Sequence, residues 1–238
     1  VDFYIVGSNR ILLNYITGVL PELDVYGVSQ MTMEQLFTRL LYEDWDDKKY
    51  KIATTDPNDK EAYRKGESAW FHDLEAFCEK YEERIIPTET VVIEKNGVVL
   101  LEKKSIENYR KSNPQLSVQA KINALNEWLL SKLENELTGK SVSYTPEEKK
   151  ELNRSCKVHF GRDEWKGSLF ELYEEFLKGQ RKRGSKIFVK QGNYDVYDLA
   201  ALAYLYKRIK EIDPIREASH VIIDEAQDFG MMVYATLA

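Results

Sequence analysis

The stretch that most constrains this chain lies near its end, where His220-Val221-Ile222-Ile223 runs straight into Asp224-Glu225-Ala226-Gln227-Asp228-Phe229. Three consecutive β-branched residues followed by two carboxylates predict a buried strand of a parallel sheet that delivers Asp224 and Glu225 to its C-terminal edge. That edge is where open α/β sheets bind ligands. Carboxylates there need water, a cation or a hydrogen-bonding partner. A nucleotide-bound Mg²⁺ would meet that need, and a surface turn with solvated acids would meet it too.

The remainder of the chain supplies a second βα unit. Asp2 to Gly7 reads as a strand, Ser8-Asn9 as the N-cap, and Arg10 to Leu20 as a helix with apolar residues at helical spacing that stops at Pro21. Val25 to Gln30 reads as a short strand, and Thr32 with Gln35 three residues on predicts a capping box at the start of the next helix.

From Tyr42 to Gly192 the pattern is mainly helical, over Lys60–Tyr81, Leu116–Leu137, Pro146–Val158 and Gly167–Leu177, the last with a second capping box at Ser168 and Glu171. Glu89 to Lys103 alternates about Asn96-Gly97, which predicts a β-hairpin. Lys186–Val189 follows as a strand candidate. Asp195–Ile212 reads as a helix, ended by Pro214, with Leu199, Leu202, Ala203, Leu205, Tyr206 and Ile209 facing inward. Three segments result: 1–41 and 193–238 as parts of one parallel-sheet domain, and 42–192 as a large insert.

Composition narrows the function classes. The 238 residues carry 34 Lys and Arg against 40 Asp and Glu, so a uniformly basic nucleic-acid surface is excluded and any such contact is local. No apolar run approaches the roughly 18–20 residues that span a bilayer, which predicts no membrane association and a cytoplasmic setting. Two cysteines, Cys78 and Cys156, do not make a disulfide framework.

Several patterns imitate functional motifs. Gly139-Lys140-Ser141 resembles the end of a phosphate loop but lacks its first glycine and its strand. Cys156 and His159 have ligand spacing, yet His72 and Cys78 are too far apart in sequence to complete a tight pair, so no structural zinc is expected. Arg181-Lys182-Arg183 is the densest basic run, suited to a solvated loop or to contact with a phosphate backbone or an acidic protein surface.

The run Asp224-Glu225-Ala226-Gln227-Asp228 resembles motif II, the Walker B element, of UvrD/Rep-type superfamily 1 helicases. The N-terminal Val6-Gly7-Ser8-Asn9-Arg10-Ile11-Leu12-Leu13-Asn14-Tyr15-Ile16 resembles motif Ia in the form found in the HelD branch, helicase-IV-like factors that associate with bacterial RNA polymerase. Thr32 falls where motif Ib stands, with Met33 replacing the usual aromatic residue. Tyr197-Asp198-Leu199 is similar to the segment that precedes motif II.

The resemblance implies a partial RecA-like P-loop NTPase domain with a 1B-like insert, and ATP with Mg²⁺ as cofactors. It implies Asp224 as the Mg²⁺ ligand, Glu225 as the catalytic base, and Gln227 and Asp228 in coupling to the nucleotide. Ser8, Asn9, Arg10 and Thr32 become candidate nucleic-acid contacts. DNA, single-stranded or duplex, and RNA polymerase are the implied partners. Two activities stay open: an ATP-driven DNA helicase or translocase that acts on the polymerase, and a non-unwinding polymerase-binding factor that uses the ATPase core as a switch. The resemblance also places the P-loop upstream of Val1 and a second RecA-like domain beyond Ala238. The chain is therefore expected to be a piece of a longer protein and not to hydrolyse ATP by itself. Finally, it requires that Phe3–Val6 pair in parallel with Val221–Asp224.

Overall fold

A computed structural model describes residues 3–8, 10–24, 26–55, 59–139, 142–190, 192–212 and 220–237, with Leu12 described by its backbone alone. Expectations that fall on Asn9, Val25, Lys140-Ser141 and Pro214 lie outside the described residues. In chain order the elements are β1 (Phe3–Gly7), α1 (Arg10–Val19), β2 (Val28–Thr32), α2 (Met33–Leu41), β3 (Lys51–Ile52), α3 (Lys60–Arg64) and α4 (Ser68–Ile85). Next come β4 (Val91–Ile93), β5 (Val98–Leu101), α5 (Lys103–Ser112), α6 (Val118–Thr138) and α7 (Pro146–Lys157). The chain closes with α8 (Leu169–Lys182), β6 (Asn193–Tyr194), α9 (Val196–Leu205), β7 (His220–Ile223) and α10 (Met231–Leu237). The fold is mixed α/β, mainly helical, with a small parallel sheet.

Two compact units are present, one of residues 1–77, 167–206 and 213–238 and the other of residues 78–166 and 207–212. The boundaries expected at 42 and 192 are corrected accordingly. Residues 42–77 and 167–192 belong to the sheet unit, because α9 packs against both α2 and α8.

In the sheet unit the strand order is β2-β1-β7, all parallel. Phe3 pairs with His220 and Val6 with Ile223, and the Asp224 amide extends the ladder by donating to the Val6 carbonyl at 2.8 Å. The required β1–β7 neighbourhood is therefore met. One expectation is corrected: β7 is not buried. Val221 and Ile222 are 41% and 53% exposed, because β7 is an edge strand laddered to β1 alone among the described strands.

The centre of this unit is α9, in which every residue from Val196 to Leu205 is buried rather than one face only. Its sequence is apolar around the whole circumference save for Asp198, as a helix enclosed by neighbours should be. The helix expected over Lys60–Tyr81 is interrupted at Lys65–Glu67. A Cβ on Gly66 would stand 2.5 Å from the Tyr197 ring, so only glycine fits there. Gly230 approaches the same point, with Met232 N donating to Gly66 O at 3.2 Å.

Other boundaries shift for local reasons. Helix α1 ends at Val19, and Pro21 is taken into the first turn of a 3₁₀ segment, Leu20–Leu23, where its missing N–H costs nothing. Lys186–Val189 is not a strand: Ile187 is buried beneath it, while Phe188 points outward against Arg181. The capping boxes at Thr32/Gln35 and Thr145/Glu148 are complete, whereas Ser168 accepts from Glu171 N without the reciprocal bond.

The helical unit holds the hairpin β4–β5, antiparallel, with Gly97 at φ 68° in its turn. Helix α6 packs on α7 and β5. Lys121 and Arg110 both reach Glu82, at 2.7 and 3.2 Å, inside this unit. Cys78 and Cys156 are both buried. Among the described residues, no helix is long and apolar enough to cross a membrane.

Candidate functional site at the sheet edge

Because β1, β2 and β7 are parallel and in register, their C-terminal ends finish in one row. Gly7 stands opposite Thr32, and Val6 opposite Ile223, so Ser8, Thr32 and Asp224 leave the sheet side by side. Beside this row lies a cleft of about 440 Å³ lined by Ser8, Arg10, Thr32, Gln35, Tyr197, Asp228 and Phe229, among others. Four of the candidate residues named from sequence, Ser8, Arg10, Thr32 and Asp228, thus share one cleft. Asn9 is outside the described residues.

The carboxylates sit at the tip of β7. Asp224 Oδ1 accepts from the Glu225 amide at 2.9 Å, which leaves its second oxygen without a partner among the described residues. Glu225 adopts the left-handed region, φ 51° and ψ 43°, an unusual conformation for a residue with a side chain. This turn starts a 3₁₀ segment, Ala226–Asp228, closed by Asp228 N donating to Glu225 O at 2.9 Å. The Gln227 side-chain amide donates to the Glu225 carboxylate. Glu225, Gln227 and Asp228 are exposed, so the acids are solvated and available to a cation. A hard oxygen donor with a free lone-pair site is the chemistry that Mg²⁺ takes, and Asp224 fits it.

The basic run is placed differently from a free loop. Arg181 and Lys182 are in the last turn of α8. Arg181 binds Glu174 at 2.5 Å and lies 4.7 Å from the Phe188 ring centre, and Arg183 pairs with Asp73 at 3.2 Å. Two of the three cations are thereby neutralised, and Lys182 remains exposed.

Sequence reading missed the ion cluster behind the edge. Lys65 Nζ reaches Asp195 at 2.6 Å and Asp198 at 2.8 Å, and the Tyr173 hydroxyl donates to Asp198 at 2.7 Å, all four groups being buried. Asp195 also caps α9 by accepting from Tyr197 N and Asp198 N, and Asp198 accepts from Asp195 N. Burial pushes the Asp198 carboxyl up to about 6, with Asp195 adding to the rise and Lys65 and Tyr173 opposing it. Burial alone would lower Lys65, but the two carboxylates outweigh it and hold the ammonium above the ordinary lysine range. The Tyr173 phenol is raised well above its usual value, by burial first and then by Asp198. The signal was a lone acid inside an apolar helix, which demands a buried cation. Lys65 joins this cluster directly to Gly66, the residue that receives the Met232 amide.

No family model, curated protein or solved structure matches this chain.

Proposed function

We propose that this chain forms part of the ATPase core of a superfamily 1 DNA helicase- or translocase-like protein of the HelD type, acting on RNA polymerase. The observation that supports this reading is the convergence of the motif Ia-like loop, Thr32 and the Asp224-Glu225 turn at one edge of one parallel sheet. Bound Mg-ATP would supply the cation that offsets charge on the phosphates. Asp224 would hold that cation through its free oxygen, and Glu225 would orient and deprotonate the attacking water. Asp228, which lies both in the turn that Glu225 opens and in the cleft with Ser8, Arg10 and Thr32, would carry the nucleotide state to bound nucleic acid.

Charge is divided unevenly between the units. The sheet unit has 15 Lys and Arg against 24 Asp and Glu, and the helical unit 19 against 16. The acidic sheet unit favours a second reading, a polymerase-binding factor that uses the ATPase core as a switch without unwinding.

The test is steady-state ATP hydrolysis by the natural protein that carries this chain, with and without Glu225→Gln, alongside DNA and polymerase binding over a salt series. We expect the substitution to lower turnover by about 10²-fold or more, as removal of a general base does. Unchanged turnover would overturn the assignment of Asp224 and Glu225. DNA affinity that falls steeply with salt supports the translocase, and a salt-tolerant polymerase complex without DNA affinity supports the switch.

A further inference from the structure

The turn that presents Glu225 has an unfavourable backbone and lies in water. Glu225 stands in the left-handed region at φ 51°, where a residue with a side chain is disfavoured, so the turn keeps its shape only where bonds around it hold it. Bonds within the turn are short-range. The Glu225 amide donates to Asp224 Oδ1 and the Asp228 amide to the Glu225 carbonyl, both at 2.9 Å, and the Phe229 amide donates to the Ala226 carbonyl at 3.3 Å. Glu225 to Asp228 are all exposed, so water competes for the same groups.

The body of the sheet unit reaches this turn through one side chain. The Tyr234 hydroxyl donates to the Ala226 carbonyl, which thereby accepts two bonds. Among the described residues, Tyr234 is the one side chain from outside 224–229 that bonds to the turn.

Tyr234 is itself firmly held. It stands on α10, where Met232 and Val233 are fully buried. The Met232 amide donates to the Gly66 carbonyl at 3.2 Å, and the Thr236 hydroxyl donates to the Ala200 carbonyl of α9 at the same distance. Burial, and then the Asp228 carboxylate, push the Tyr234 phenol above its usual range, so it is a protonated donor at neutral pH. A hydrogen bond from such a group joins an exposed turn to a packed helix.

A general base works only within hydrogen-bond reach of the proton it takes, and a misplacement of about 1 Å can cost about 10²-fold in rate. We propose that Tyr234 is a positioning residue: by tying the Ala226 carbonyl to α10 it fixes the peptide that follows Glu225, and so sets where the Glu225 carboxylate stands at the sheet edge. This rests on the reading of Glu225 as the base, and adds to it a residue outside the Asp224–Asp228 run.

The test is steady-state ATP hydrolysis by the natural protein that carries this chain, as wild type, Tyr234→Phe, Glu225→Gln and the double variant, together with amide hydrogen exchange of the full chain. Tyr234→Phe keeps the ring and removes only the hydroxyl. Loss of one neutral hydrogen bond predicts a fall in kcat of about 3- to 10-fold with the KM for ATP unchanged, and a similar rise in the exchange rates of the Asp228 and Phe229 amides, with the amides of α10 unaffected. In the Glu225→Gln background the substitution should lower turnover no further, because the carboxylate it positions is gone. Turnover that falls with Glu225→Gln but not with Tyr234→Phe, or effects that multiply in the double variant, would overturn the proposal and leave the base in place. Turnover unchanged by Glu225→Gln would overturn the reading of the base and this proposal with it. Faster exchange throughout α10 would assign Tyr234 to the stability of that helix, and would overturn the positioning role as well.

Discussion

Replacing Lys65 by Met tests the ion cluster that stands behind the sheet edge. The methionine fills a similar volume but removes the one cation in contact with two buried carboxylates, at 2.6 and 2.8 Å. Removing one partner of a buried ion pair typically costs about 3–5 kcal/mol, because the remaining charge is left uncompensated. Against a domain stability of about 5–15 kcal/mol, that is a large share. The pH dependence carries a sign that can be worked out. Asp198 is raised from 3.8 to about 6 in the folded chain, so wild-type protein loses part of its stability as pH rises through that window. In the variant, the attraction that opposes this rise is gone, and the folded carboxyl keeps its proton to higher pH. Above pH 6, therefore, the wild type has finished losing this contribution while the variant continues to lose it, and the difference between them widens. Urea unfolding at pH 5, 6, 7 and 8, followed by tryptophan fluorescence, measures this directly. A difference below about 1 kcal/mol at pH 8, the range of an exposed pair, would refute the buried cluster. A difference that narrows above pH 6 would refute the assignment of Asp198 as the group left uncompensated.

Lys121→Met in the helical unit should cost less than Lys65→Met, because Arg110 remains bound to Glu82 at 3.2 Å; the same unfolding series checks the order. Burial lowers the Lys121 pKa below the ordinary lysine range despite Glu82, so its ammonium contributes less than that of Lys65. Gly230→Ala would place a Cβ 2.4 Å from the Gly66 carbonyl oxygen and should destabilise by about 1–3 kcal/mol, the usual cost of forced overpacking, read as a lowered Tm.

Much of the local structure was legible in the chain because it depends on neighbours in sequence. Thr32 with Gln35 and Asn96-Gly97 each encode a cap or turn within four residues, and each forms, while Ser168 with Glu171 forms one of the two bonds of its box. The β1–β7 pairing was legible for another reason: it came from the resemblance carried by Gly7-Ser8-Asn9-Arg10 and Asp224-Glu225-Ala226-Gln227-Asp228. The convergence of Ser8, Arg10, Thr32 and Asp228 on one cleft follows from that pairing.

Other features required the tertiary arrangement. The β-branched run of β7 signals a strand, but whether Val221 and Ile222 are buried depends on which strands flank them, and β7 lies at an edge. Helical periodicity from Lys60 onward gave no hint of the break at Gly66, which exists because Tyr197 and Gly230 come within contact of that backbone. Lys65 and Asp198 are 133 positions apart, and nothing local links them. Sequence alone determined the elements with local signals and the presence of two carboxylates directly after β7, since those follow from backbone propensity and side-chain type. Only the tertiary structure decided burial, helix interruption and the partners of Lys65, because each is fixed by residues brought together from distant parts of the chain.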